Sequence, residues 1–153
     1  MAPPTPERAE AIEVVSSNLL GRAARLTRLL MRSGAHEISR TEVGVLATLS
    51  EGPRRITQLA MTEALAQPTV TQLIDKLEGR GLVSRSRSKE DGRVVLVEIT
   101  TAGADALEAV RALIRANMRA ALADLPDAEL TELAHAADTM GGLVEKLLAD
   151  LEA

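Results

Sequence analysis

The sequence predicts a mainly α chain with one small two-stranded β ribbon. Three observations point to it. Apolar residues recur at steps of three and four through most of the 153 positions. Two short extended stretches interrupt that rhythm, "LVSRSR" (82–87) and "RVVLVEI" (93–99), the second rich in β-branched residues. Between them, "SKEDG" holds Asp91-Gly92, a hairpin signal because both positions accept positive φ.

The elements follow in order. Residues 1–4 read as a tail. Thr5 as N-cap, Pro6 at the first helical position and Glu7 in the first turn open a helix with the stripe Ile12, Val15, Leu19, Ala23, Leu26 and Leu30. Gly34 closes it in the left-handed position that favours glycine. Its length exceeds what one packing partner needs. Ser39-Arg40-Thr41-Glu42 has capping-box spacing, with Ile38 able to staple onto Val43. Leu46 and Leu49 continue that second helix, and Gly52-Pro53 stops it. A short extended piece over 54–56 leads to Thr57, read as N-cap of a helix through about Ala64.

After a tight turn comes "QPTVTQLIDKLEGRGLV", a helix beginning near Gln67. Pro68 is tolerated because first-turn N–H groups have no intrahelical acceptor. Val70, Leu73, Ile74 and Leu77 form one buried face, and Pro68, Thr71, Gln72, Asp75 and Lys76, with Thr69 at the margin, form the opposite one. The extended pair then makes a ribbon with Arg85, Arg87, Lys89 and Arg93 around its tip. Thr100 caps a helix over about 101–123, with Leu107, Val110, Ile114 and Met118 on one side. After Leu125-Pro126-Asp127, a last helix carries the seam Leu130, Leu133, Ala137, Met140, Val144, Leu147 and Leu151, a heptad-type pattern suited to lengthwise packing on another helix. The same seam also suits packing within one chain.

This order is that of a winged helix-turn-helix lobe, expected over 36–102, on a helical dimerisation domain made of 1–35 and 103–153. Composition narrows the function. Phe, Trp and Tyr are absent, which excludes aromatic platforms for unstacked bases. Cys is absent, which excludes disulfides and thiolate metal sites. His36 and His135, the two histidines, stand far apart and form no metal-spaced cluster, so no metal or other cofactor is expected. No nucleophile motif or Gly-rich phosphate loop is present, and no enzyme is expected. No apolar run approaches the roughly 18 residues that span a bilayer, so the chain reads as cytoplasmic with no membrane partner. The net charge of −4 conceals an uneven spread: 54–93 is net +3 and 94–153 is net −7. A basic middle beside an acidic flank suits a polyanion-binding module on a separate scaffold.

The run "QPTVTQLIDKLEGRGLV", followed by "KEDGR" and "VEITTAG", resembles the DNA-binding lobe of the MarR family of bacterial regulators. The close resemblance covers about 50 residues, and the flanking helices match in order and length. It implies a homodimer interlocked through the first and last two helices, usually a repressor, released by a small-molecule effector bound between dimer domain and lobe. It further implies that the helix from Gln67 is the recognition helix and that Asp91 orients Arg93 for a minor groove. Three positions depart from the family pattern. Ala66 replaces a capping Ser, leaving an orphan N–H worth about 1 kcal/mol. Ala64 replaces a turn Gly and must avoid positive φ or accept strain. Gly92 replaces a second basic wing residue.

Chemistry assigns expected roles. Gln67 and Gln72 can read adenine edges, Thr69 and Thr71 can bond phosphate or touch a thymine methyl, and Lys76 can meet a phosphate; with no Arg in the first turns to read guanine, A·T-rich half-sites are expected, and a homodimer would place them pseudo-palindromically in double-stranded DNA. Arg85, Arg87 and Lys89 are expected on phosphates, with Asp91 and Arg93 in the wing. Arg25, Arg28 and Arg32 form a stripe on the first helix, open to intersubunit pairing or to clamping an effector carboxylate. The competing reading is a helical-dimer interaction module whose winged lobe no longer binds DNA.

Overall fold

The computed structural model describes residues 5–32, 38–88 and 91–152. Gly34, His36 and Lys89 lie outside the described residues, and so do the side chains of Arg32 and Leu151. The elements are α1 (Pro6–Arg32), α2 (Arg40–Ser50), α3 (Ile56–Thr62), α4 (Gln67–Gly79), β1 (Val83–Arg87), β2 (Val95–Ile99), α5 (Thr101–Leu122) and α6 (Asp127–Glu152). Residues 1–115 form one compact unit and 116–153 another. The expected fold class, mainly α with a small β wing, is the one observed.

The caps decide where the helices begin. The Arg8 N–H donates to Thr5 Oγ1 at 3.4 Å, opening α1. At α2 the capping box is complete: the Glu42 N–H donates to Ser39 Oγ at 3.3 Å, and the Ser39 N–H donates to Glu42 Oε2 at 2.5 Å. The start of α3 differs from expectation. Arg55, not Thr57, is its N-cap, and the Gln58 side chain accepts from the Arg55 N–H at 2.9 Å. Thr57, expected as the cap, instead sits in the first turn, and the Gln58 amide satisfies the backbone N–H of the N-cap residue.

A single aliphatic core holds the lobe. Val45, Leu46 and Leu49 of α2, Leu59 of α3, Val70, Ile74 and Leu77 of α4, Val83 and Val97 of the sheet, and Leu107 and Val110 of α5 are all buried. Burying each aliphatic side chain is worth about 1.5–3 kcal/mol, so this set drives the lobe together without any aromatic ring. Strands β1 and β2 pair antiparallel, Val83 opposite Ile99 and Arg87 opposite Val95. The extended piece before α3 adds one bridge to the ribbon, with Arg54 and Val97 exchanging N–H···O bonds of 3.0 and 2.8 Å.

The first turn of α5 is locked onto the exit of α4. Thr100 Oγ1 accepts from the Gly103 N–H at 3.1 Å and donates to the Gly81 carbonyl at 2.7 Å, while the Thr100 N–H donates to the Leu82 carbonyl at 3.1 Å. A Cβ at Gly103 would stand 2.0 Å from that Leu82 oxygen, so this position requires glycine. The terminal helices look different. On α1, Ile12, Val15, Leu20 and Leu29 are exposed, and on α6, Leu133, Met140, Val144 and Leu147 are exposed. His135 of α6 is exposed. No helix among the described residues is long and apolar enough to cross a membrane.

Candidate nucleic-acid interface

Helices α3 and α4 both end with the same backbone device, and the comparison explains the turn between them. After α4, the Gly81 N–H donates to the Glu78 carbonyl at 2.8 Å and the Leu82 N–H to the Leu77 carbonyl at 2.9 Å, with Gly81 at φ +70°. After α3, the Ala64 N–H donates to the Met61 carbonyl at 3.2 Å and the Leu65 N–H to the Ala60 carbonyl at 3.0 Å, with Ala64 at φ +52°. Ala64 therefore accepts the left-handed conformation in which its Cβ crowds the backbone, at about 1–2 kcal/mol. Thr48 secures the turn by donating to Glu63 Oε1 at 2.7 Å.

On α4, Val70, Ile74 and Leu77 are buried, while Gln67, Pro68, Thr69, Gln72, Asp75 and Lys76 are exposed. Thr71 is half-buried, and its hydroxyl donates to the Gln67 carbonyl at 3.0 Å. The absence of a side-chain cap at Ala66 matters less than the sequence implied. Pro68 has no N–H to satisfy, and the Thr69 N–H donates to the Ala66 carbonyl at 3.0 Å.

Two expected phosphate contacts are engaged within the chain. Arg85 on β1 reaches Asp75 Oδ1 at 2.6 Å and Glu78 Oε2, and its backbone N–H donates to Glu78 Oε1 at 3.2 Å. The hydrogen bond to Asp75 outweighs partial burial and, with Glu78, raises the Arg85 pKa above its ordinary value. Arg85 thus ties the ribbon to α4 and masks that helix's two carboxylates. Lys76 Nζ lies 3.0 Å from Glu42 Oε1 while its side chain stays 61% exposed, so it serves an internal partner and still borders the surface. Arg80 reaches the same oxygen at 3.3 Å.

Glu42 is the residue that sequence reasoning read as a cap alone. It is fully buried. Burial pushes its pKa up, but the Ser39 N–H, the Ser39 hydroxyl and the Lys76 ammonium outweigh that and hold it below the ordinary carboxylate range. The spacing of Ser39 and Glu42 announced the cap; its long-range partners on α4 had no signal in the sequence.

The wing tip is longer than the two-residue hairpin expected. Arg87 is the last paired residue of β1, the Ser88 N–H donates to the Val94 carbonyl at 2.9 Å, and the Val94 N–H donates to the Asp91 carbonyl at 2.9 Å. Gly92 does not take positive φ. The turn is instead organised by Asp91, whose Oδ1 accepts from the Arg93 backbone N–H at 3.0 Å. The carboxylate fixes the Arg93 backbone, and among the described residues it makes no ion pair with the guanidinium. Arg87, Asp91 and Arg93 are exposed.

The remaining candidates are dispersed. Arg25 and Arg28 are exposed on α1. In the α6 seam Leu130 is half-buried, while Leu133, Ala137, Met140, Val144 and Leu147 are exposed. Among the described residues, no group of His, Asp and Glu could hold a metal.

Known proteins resemble this arrangement. The model of the MarR family matches residues 38–95. An HTH-type transcriptional regulator of Mycobacterium bovis is 33% identical over 134 residues, covering 86% of this chain and 94% of the relative. The fold matches that of a MarR family protein from Bacillus stearothermophilus, with TM-score 0.70 and 23% identity over 93% of this chain and 99% of that one. It also matches BpsR of Bordetella bronchiseptica, with TM-score 0.55 and 20% identity over 80% of this chain and 98% of that one. DNA binding by BpsR is regulated by 6-hydroxynicotinic acid.

Proposed function

The chain belongs to the MarR family of DNA-binding transcriptional regulators, and from that premise we propose that it is a homodimeric repressor released by a small-molecule effector. The observation that carries the DNA-reading part is the exposed polar face of α4, with Gln67, Thr69 and Gln72 free of the core that holds its other side. A major groove admits one α-helix, and amide side chains suit adenine edges there. The exposed Arg87 and Arg93 on the wing suit phosphate or the narrow, electronegative minor groove. Arg85 has a different role: it sets wing against helix, and Lys76 adds at most a shared charge.

The division of labour assigns residues 36–102 to DNA and residues 1–35 and 103–153 to self-association. Exposed apolar side chains on α1 and α6 support the latter, because a second copy would cover them. Two lobes related by a two-fold axis read half-sites about one helical turn, or roughly 34 Å, apart, hence a pseudo-palindromic operator. Effector release rests on the family and on BpsR, whose regulator is a small aromatic acid. Arg25 and Arg28, exposed on α1, are the residues we assign to a ligand carboxylate or to the partner subunit.

A titration of the full chain against DNA upstream of its own coding sequence tests this reading. Affinity is expected to fall by two or more orders of magnitude between about 50 and 200 mM salt. Arg93→Ala is expected to lower the salt slope by about 1 per protomer, and Arg85→Ala to weaken binding without changing it. No bound band at low salt favours the interaction module instead.

A further inference from the structure

We infer that Glu42 is a positioning residue for DNA reading: from the buried first turn of α2 it fixes the rotation of α4 about its own axis by holding Lys76 and Arg80. The inference rests on α4 being the recognition helix. Its two oxygens are divided between two elements. Oε2 accepts from the Ser39 N–H at 2.5 Å, while Oε1 faces Lys76 Nζ at 3.0 Å and Arg80 Nη1 at 3.3 Å.

The charge is what calls for a function. A capping box needs only an acceptor at this position, and glutamine supplies one. A carboxylate with no exposed surface carries a large desolvation penalty unless it is paired. The negative charge is therefore surplus to the cap and matched to two cations, Lys76 in the last turn of α4 and Arg80 at its C-cap. Gln72 lies four residues before Lys76 on α4, and Arg80, four residues further, caps the helix end, so the Gln72–Lys76 row runs to that cap. Val70, Ile74 and Leu77 hold the opposite side through close apolar packing, and Arg85 ties Asp75 and Glu78 to the ribbon; neither acts on the row that carries Gln72. The Glu42 ion pairs are directional. Holding Lys76 and the cap at a buried point sets where Gln72 points.

Glu42→Gln tests this, because it keeps the cap and removes the charge. The full chain is titrated with a duplex that the wild type selects from a randomised pool, and with a scrambled duplex of equal length and composition. Glu42→Gln is expected to weaken binding of the selected duplex tenfold or more and to leave the scrambled duplex within about twofold. Arg80→Gln, which leaves the cap and Glu42 in place, is expected to lower the selected-to-scrambled ratio in the same direction, and the double variant to be no worse than Glu42→Gln alone. Equal weakening of both duplexes, no change in a folded variant, or full additivity of the pair overturns the inference. Where Glu42→Gln does not fold, Arg80→Gln decides: a lowered ratio supports the tie and an unchanged ratio overturns it. A wild type that selects no duplex overturns the assignment of α4 itself, and the inference with it.

Discussion

The winged lobe and the terminal helices use the same aliphatic residues at the same helical spacing, yet bury them differently. In the lobe, Leu46, Leu59, Ile74 and Leu77 are sealed, and even the charged Glu42 is enclosed with partners. Along the α1 stripe Val15 is 52% exposed while Leu30 is buried, and along α6 Leu147 is 54% exposed, with Leu133, Met140 and Val144 also exposed. Periodicity reports that a helix has an apolar face; it does not report which surface covers that face. The lobe finds its cover within the chain. The terminal helices are the part whose stability we attribute to a second copy, as exposed apolar seams of this length are costly in water.

The largest effect is expected at Gly103. Gly103→Ala drives a methyl group into the Leu82 carbonyl and forces α5 off the exit of α4. A loss of about 3–5 kcal/mol in urea unfolding is expected, with the lobe's cooperative transition affected first. A smaller effect on the lobe but a larger one on assembly is expected at α6. Val144→Asp changes a residue that is 52% exposed, so it should leave the unfolding of the lobe nearly unchanged while converting the proposed dimer to monomer in light scattering.

Acid sharpens the contrast further. The folded Glu42 has a lowered pKa, so the unfolded chain binds that proton more readily than the folded one. Its stabilisation is present above the ordinary carboxylate value of about 4.3 and is lost as pH falls through the lower folded value. Urea unfolding of the wild type and Glu42→Gln should therefore differ most at neutral pH and converge toward acid; a constant difference contradicts the tie. The mildest change is Ala64→Gly. Relief of the left-handed strain, partly offset by the entropy of glycine, is expected to raise stability by about 0.5–1 kcal/mol in the same assay.

Local signals in the sequence served well where the cause was local. The Ser39–Glu42 box, Pro6, Thr100 and the Leu125-Pro126 break all mark observed helix boundaries. The α4 start at Gln67 and its buried side followed from proline chemistry and spacing. Differences arose where a neighbouring side chain took over the local role, or where a second element intervened. Thr57 carried the cap signal, but the Gln58 side chain performed the capping. Asp91-Gly92 suggested a tight turn with positive φ, but the Asp91 carboxylate organised a longer one. Arg85 resembled its basic neighbours in composition, and only the fold brings Asp75 and Glu78 to it across the gap from α4 to β1. Long-range electrostatics leaves no spacing to read.

Self-association of the terminal helices is tested most directly by the mass of the full chain in solution. One chain is 16.2 kDa. Sedimentation equilibrium at micromolar concentration is expected to give about twice that mass, with dissociation on Val144→Asp. A single-chain mass that persists at tens of micromolar, with α1 and α6 still helical, would contradict it.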